Sequence, residues 1–371
     1  MRRLIGTLIL LVCLTLPLQG CRDRIDLEDA TLSLSVGIDL SKDNKLLFYS
    51  SSPVFSKEAK KKTEEYGVTS ETLRFARDEF DAVVTALTSK GKVQVILISK
   101  KIMQHEDWFP LLDVMFRDAK STMNAKVALV DGPVVTFINY YPKDKPRLPL
   151  YITKLITTAN RRNITVETTL AQLHTQLFEK GITPAVTELK MEKSLEVAGT
   201  ALLDEKGKYA DTLLLQDSEL LRMLQDQKKG QLSLTIPVKG IEDNIFHFNR
   251  TSFYVENLHR KVKVDYKDGK FRFHITLKLS ALMTERLFPY DMKKHLDQFR
   301  LLIKGEIEKR CKQLVTRMQK KQLDPIGLGM YARAYEYKAW KQVENRWGEA
   351  ISDAQIDVTI DLKMLNMGLI R

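Results

Sequence analysis

The sequence predicts an α+β protein in which mainly antiparallel sheets are packed by helices, following a short export segment. Three observations carry that prediction. Runs such as Thr31–Leu40 and Gln355–Leu365 alternate apolar and polar residues, the period of a half-buried strand. Between such runs lie stretches whose apolar residues recur every three or four positions, the longest from Tyr290 to Lys321. With 371 residues and 44% hydrophobic content, the chain is long enough for two or three cores.

The first 20 residues read as a signal peptide. Arg2 and Arg3 supply a positive start, Leu4–Leu18 is an apolar run, and Leu18-Gln19-Gly20-Cys21 matches a bacterial lipobox. Cleavage after Gly20 leaves Cys21 as the first mature residue and the expected lipidation site, with a thioether-linked diacylglycerol and with or without an added N-acyl chain. Gln19 is a less usual occupant of its position. An ordinary secretory signal with a cysteine nearby, or an uncleaved anchor, are the alternatives. Two acyl chains give stable membrane attachment, each buried methylene contributing about 0.8 kcal/mol. No later run reaches the roughly 18 apolar residues that a span demands, so the expected mature protein is a folded body held at a lipid surface.

Residues 21–190 read as an N-terminal α/β domain. Arg22–Ala30 is a charged tether, Thr31–Leu40 a strand, Asp43-Asn44 a turn and Lys45–Phe55 the returning strand. Ser56–Tyr66 reads as a charged loop. Ser70-Glu71 opens a helix with apolar positions Leu73, Ala76, Phe80, Val83, Val84 and Leu87, closed by Gly91. Val93–Ser99 is the most strand-like run. His105–Asp118 reads as a helix, Ala125–Val130 as a strand, and Leu148–Asn160 and Val166–Phe178 as helices. Residues 191–255 read as a middle α+β domain, with strands at Leu195–Leu203, Lys208–Leu215, Leu232–Val238 and Ile245–Tyr254 and a helix at Ser218–Asp226.

Residues 256–371 form the expected C-terminal α+β domain. Leu258–Tyr266 and Lys270–Met283 are strands joined by Lys267-Asp268-Gly269, whose Asp-Gly pair favours a tight hairpin turn. In the long helix that follows, Leu296, Phe299, Ile303, Ile307, Cys311, Leu314 and Met318 form one apolar stripe, expected to pack across a sheet. Asp324-Pro325 to Gly329 stops that helix. Trp340 and Trp347 are expected to pack against the sheet closed by Gln355–Leu365.

Composition narrows the function classes. The formal net charge of +12 suits anionic headgroups or acidic wall polymers. Nucleic acid is disfavoured by export and by lysines spread along the chain without interleaved aromatics. The dense clusters, Lys57–Lys62 and Lys304–Lys321, are read as solvated faces, with membrane-surface contact the alternative. Of three cysteines, Cys13 leaves with the signal and Cys21 is the lipid site, so Cys311 has no intramolecular partner.

Several segments, taken in order over essentially the whole mature chain, follow the pattern of one known family. After Cys21, Asp23-Arg24-Ile25-Asp26-Leu27-Glu28-Asp29-Ala30 and Val36-Gly37-Ile38-Asp39 are similar to the family's opening, with Arg22 standing where the family has tryptophan. Val95–Ser99, Leu111-Leu112-Asp113 and Phe116-Arg117-Asp118 resemble its next strand and helix end. Gly199-Thr200-Ala201, Asp324–Gly329 leading to Trp340, and Val358 to Ile370 complete the series, which as a whole resembles the Ger(x)C lipoproteins of spore germinant receptors. The resemblance implies three mixed α/β domains and a C-type subunit on the outer face of the inner spore membrane, beside A-type and B-type membrane subunits that sense small nutrients. It carries no catalytic residues to transfer.

The residues themselves give catalysis little to use. His105, His174, His247, His259, His274 and His295 form no H-E-x-x-H and no carboxylate-spaced metal pair, and no G-x-S-x-G elbow or phosphate-cradling glycine loop is present. Asp39-x-Ser41-x-Asp43 lacks the glycine and terminal glutamate of a calcium loop. No enzymatic activity, metal or cofactor is expected, and no nucleic-acid partner. The reading is an accessory receptor subunit that docks to membrane partners. The alternatives are a lipid-anchored solute-binding protein that captures the nutrient, and a wall-active hydrolase, which the missing acid–base pair disfavours.

Overall fold

The computed structural model describes residues 30–366 except 56, 57, 85, 86, 90 and 142. The signal segment, Cys21, the tether through Asp29 and the tail Met367–Ile370 lie outside the described residues. Three sheets are present among those described. A short parallel pair joins β1 (Ala30–Leu32) to β5 (Leu87–Ser89). The main sheet is eight-stranded, in the order β10-β9-β8-β7-β6-β2-β3-β4. Its strands are β2 (Ser35–Leu40), β3 (Leu46–Pro53), β4 (Thr63–Thr69), β6 (Val95–Ser99), β7 (Lys126–Asp131), β8 (Ala185–Met191), β9 (Leu195–Leu203) and β10 (Tyr209–Leu214). The second sheet has four strands, β11 (Leu232–Pro237), β12 (Arg250–Lys267), β13 (Lys270–Arg286) and β14 (Gln355–Asn366).

In the main sheet the central strands β2, β6, β7 and β8 run parallel, and antiparallel pairs form both flanks. Parallel strands need helical crossovers, which cover both faces and make the strands apolar throughout. Strand β6 shows this directly. Ile96 and Ile98 join a core with α1 (Leu73–Asp81), α2 (Lys100–Met103), α3 (Asp113–Arg117) and α6 (Leu170–Phe178). Val95 and Leu97 join the opposite core with α4 (Val134–Ile138) and α5 (Leu148–Arg161).

Helix α7 (Leu215–Leu224) follows β10, and α8 (Met292–Lys320) lies across the second sheet with a kink at His295. Helices α9 (Leu328–Tyr335), α10 (Tyr337–Val343) and α11 (Trp347–Asp353) then lead to β14, which pairs parallel to β13. The stripe from Phe299 to Met318 is buried, with Ile307 and Cys311 fully so, and Leu296 is half-buried at its edge. Trp340 and Trp347 join the same core. That core also takes Leu202 and Leu213 from β9 and β10, so the two large sheets share apolar packing.

Several elements differ from the sequence reading, each for a local reason. The helix opened by Thr72 ends at Asp81 and does not reach Leu87; Val83 and Val84 are β-branched and poor helix formers. The Asp81 carboxylate instead accepts from Thr88 N at 2.8 Å, fixing β5. Pro110 breaks the His105–Asp118 stretch into a 3-10 turn at Phe109–Leu112 followed by α3. Tyr66, read as loop, lies in β4, and its ring packs against Phe80 at 5.0 Å. Strands β9 and β10 pair onto β8, extending the main sheet past residue 190. The two strands read at Ile245–Tyr254 and Leu258–Tyr266 are one strand, β12, bulged near Asn257.

The burial contrast along α8 gives a direct test. Ile307→Ala is expected to cost about 2–5 kcal/mol in urea unfolding, whereas Leu301→Ala, on the exposed face, is expected to stay within about 0.5 kcal/mol.

Candidate functional site

The most specified cluster of polar groups sits where the two large sheets meet, at the turn after α8. Gln322 takes a left-handed conformation (φ 59°) and Leu323 is buried, which turns Asp324 into the interior. The Asp324 side chain then satisfies the start of α9. Its Oδ1 accepts from Gly327 N at 2.9 Å and Leu328 N at 3.0 Å. Its Oδ2 accepts from Gly329 N at 2.8 Å and from Trp347 Nε1 at 2.9 Å. A carboxylate at a helix N-terminus pairs with unsatisfied N–H groups and the positive end of the dipole. Burial pushes the Asp324 carboxyl above the ordinary aspartate range, and the four N–H donors pull against that shift. The ionised form alone offers an acceptor to every donor.

The backbone of the same residue ties in the first sheet. Thr183 N donates to Asp324 O at 3.0 Å, and Asp324 N donates to Thr183 Oγ1 at 3.0 Å. One residue therefore joins the loop entering β8, the cap of α9 and the indole of Trp347. That indole packs edge-on against Phe271 of β13 at 5.4 Å.

Two glycines let the chains approach. A Cβ on Gly329 would lie 2.4 Å from Gly181 Cα, and Gly181 has φ +93°. Around this centre, Lys180 Nζ lies 3.1 Å from Glu344 and 2.7 Å from Asn345 Oδ1, and Arg333 pairs with Glu179. Farther along, Arg317 grips both carboxylate oxygens of Asp211 at 2.8 and 2.9 Å. Gln225 Nε2 donates to Pro325 O at 2.9 Å. A cleft of about 260 Å³ opens beside Gly181, Glu205 and Trp347.

A second polar cluster closes the carboxyl ends of the parallel strands. Lys100 Nζ lies 3.1 Å from the buried Glu188, whose other oxygen accepts from Thr212 Oγ1. Burial works against the Lys100 charge, but Glu188 and then Tyr209 together outweigh it and hold the ammonium above the ordinary lysine range. The pair is sealed by the Tyr209 ring, 4.6 Å from Lys100 Nζ.

The residues singled out in sequence are scattered. Cys21 lies outside the described residues. Cys311 is buried in the α8 stripe, where burial and then Glu308 push its thiol up to about 12, far from a nucleophilic thiolate. His174 packs between Phe116 and Phe178, His247 sits 3.3 Å from Asp243, and His274 sits 3.8 Å from Asp357. The Asp39 carboxylate accepts from Val134 N at 2.9 Å and Leu40 N at 2.8 Å, while Lys101 holds the Ser41 carbonyl. Among the described residues no group of three His, Cys, Asp or Glu is placed to hold a metal. The Gly181–Thr183 partner of the Asp324 turn has no local sequence signal, because its role exists only across the junction.

The Asp324–Gly329 turn and its tryptophan lie within one of two family profiles that match end to end. "Spore germination protein N-terminal domain" matches residues 23–191, and "Spore germination B3/ GerAC like, C-terminal" matches residues 198–368. This chain belongs to the Ger(x)C family of spore germination proteins. Similar members include "Spore germination protein B3" of Bacillus subtilis (strain 168), 22% identical with 96% of each chain covered. "Spore germination protein GerQC" of Bacillus cereus is 23% identical, with 97% of this chain and 98% of that one covered. The solved structure described as "Crystal Structure of the GerBC protein" aligns with a TM-score of 0.57 at 16% identity, covering 92% of this chain and 100% of that one. At that identity the likeness shows a shared Ger(x)C fold.

The junction of this Ger(x)C protein yields a discriminating substitution. Asp324→Asn replaces one acceptor oxygen with an amide that faces N–H groups. Each buried donor left without a partner costs about 1–3 kcal/mol, so thermal unfolding should show a loss well beyond that of an isosteric surface change. Gly329→Ala should destabilise by a comparable amount, because its methyl group meets the Gly181 backbone.

Proposed function

We propose that this protein is a non-enzymatic, lipid-anchored C-type subunit of a spore nutrient germinant receptor. The observation that carries the reading is the match of both family profiles, in order, over nearly the whole chain. Full-length coverage of relatives named as spore germination proteins supports it. Cys21 carries the diacylglycerol and places the folded body on the outer face of the inner spore membrane. There it docks to A-type and B-type membrane subunits and is required for the response to small nutrients. The two large sheets, their shared core and the buried Asp324 turn suit a rigid docking body. No helix of the described residues is long and apolar enough to cross a membrane, so the attachment in this reading rests on the acylated cysteine.

The test is Cys21→Ala expressed at its native level in spores. The variant should leave the membrane fraction and abolish nutrient-triggered germination. Retention in the membrane fraction with normal germination would overturn the anchor. Co-purification of the wild-type protein with both membrane subunits from detergent-solubilised spore membranes is the matching test of partners.

A further inference from the structure

The described chain begins at one particular end of the main sheet, and that end has a surface unlike the rest. Strand β1 leads through Ser33 and Leu34 into the amino end of β2, beside the amino ends of β6 and β7. A groove of about 620 Å³ opens there, lined by Leu32, Leu34, Pro53, Phe55, Lys92 and Arg147 among others. The β3–β4 connection and the loop before α5 meet at its rim, where Lys61 Nζ lies 4.2 Å from the Tyr141 ring. Gly91, at the base of β6, lies against the Lys120 carbonyl, 3.2 Å from where a Cβ would stand.

The chemistry of this end is basic and aromatic. Lys60, Lys61, Lys92, Lys143, Lys145 and Arg147 are exposed on it. The acidic residues of the same segments are Glu58, Glu64, Glu65 and Asp144, and Glu65 is already paired with Lys61 at 2.6 Å. Phe55 (42% exposed) and Tyr141 (47% exposed) stand among these cations. Aromatic rings with flanking cations are the side chains that settle at a membrane–water interface, and lysines and arginines near an anionic leaflet are drawn to its headgroups.

We infer that this end of the main sheet is the face that lies on the bilayer, its cations contacting anionic phospholipid headgroups. The inference rests on the lipid anchor proposed above. From Cys21 to Ala30 the chain can reach about 30 Å when fully extended. An acylated Cys21 therefore keeps the groove within reach of the headgroups. The other basic surface, the outer side of α8 around Lys312, lies on the second sheet, and part of its charge is spent on Asp211 through Arg317 and Lys321.

The experiment uses the full-length lipidated chain in phosphatidylglycerol vesicles containing a headgroup-attached quencher. A fluorophore is placed at Lys92→Cys, Lys145→Cys or Lys312→Cys in turn; Cys21 is acylated and Cys311 is buried, so one site is labelled each time. Flotation of the protein with the vesicles reads the anchor, and quenching reads the face. Labels at 92 and 145 are expected to be quenched several-fold more than the label at 312. Exchanging phosphatidylglycerol for phosphatidylcholine should about halve quenching at 92 and 145 without reducing flotation. Flotation with quenching strongest at 312, or equal at all three sites, overturns the face and leaves the anchor standing. Equal quenching in the two lipids overturns recognition of anionic headgroups. A protein that fails to float overturns the anchor, and the face with it.

Discussion

One buried aspartate links the two large sheets, its carboxylate ordering the α9 turn and its backbone binding the segment that enters β8. Asp324 gives all its acceptor capacity to four N–H groups and its backbone to Thr183. A carboxylate removed from water is costly unless its partners are in place beforehand. Here those partners come from the α9 turn and from Trp347, a residue separated from Asp324 by two helices. The turn is therefore satisfied only when α9, α10 and α11 have returned the chain to the sheet. The same condition brings Gly329 against Gly181, a contact that no side chain larger than hydrogen allows.

Much of the fold was legible because periodicity reports burial. The α8 stripe, the β12–β13 turn at Asp268-Gly269 and the fully buried β6 each follow from one local pattern. Where the reading differed, a non-local term decided. Val83 and Val84 extend an apolar helical spacing, yet β-branching and the Asp81 cap on Thr88 end the helix early. The affiliation of β9 and β10 with β8 is a matter of pairing across strands, which alternation cannot assign. The Asp324-Pro325 turn and Trp347 were visible in sequence as a helix stop and an aromatic segment. Their joint hydrogen bond was not, because residues this far apart meet only through tertiary structure.

The polar clusters divide the molecule by what each can do. Lys100 pairs with the buried Glu188 beneath the Tyr209 ring and also reaches Asp131 at 3.5 Å, so its charge is held between two carboxylates. Cys311 has the burial of a core residue and a thiol pushed far above neutral pH. His174 is sandwiched by phenylalanines, whereas His247 and His274 stand at the surface beside single aspartates. None of these places a nucleophile beside a base. What the polar groups accomplish together is positional: they join strands, cap helices and lock the junction.

That positional role fixes how the body responds to load. Interfaces between domains of one chain are commonly polar and permit relative motion. Here Leu202 and Leu213 of the main sheet are buried with Phe253, Ile275 and Phe299 of the second sheet and its helix. Separating the sheets would expose that apolar surface and break both Thr183–Asp324 bonds and the Arg317–Asp211 pair in one step. These losses are coupled, because each contact is geometrically possible only when the others are made. The Thr183–Asp324 bonds thus run from the segment entering β8 to the α9 turn, and the Trp347 indole carries the contact on to Phe271 of β13.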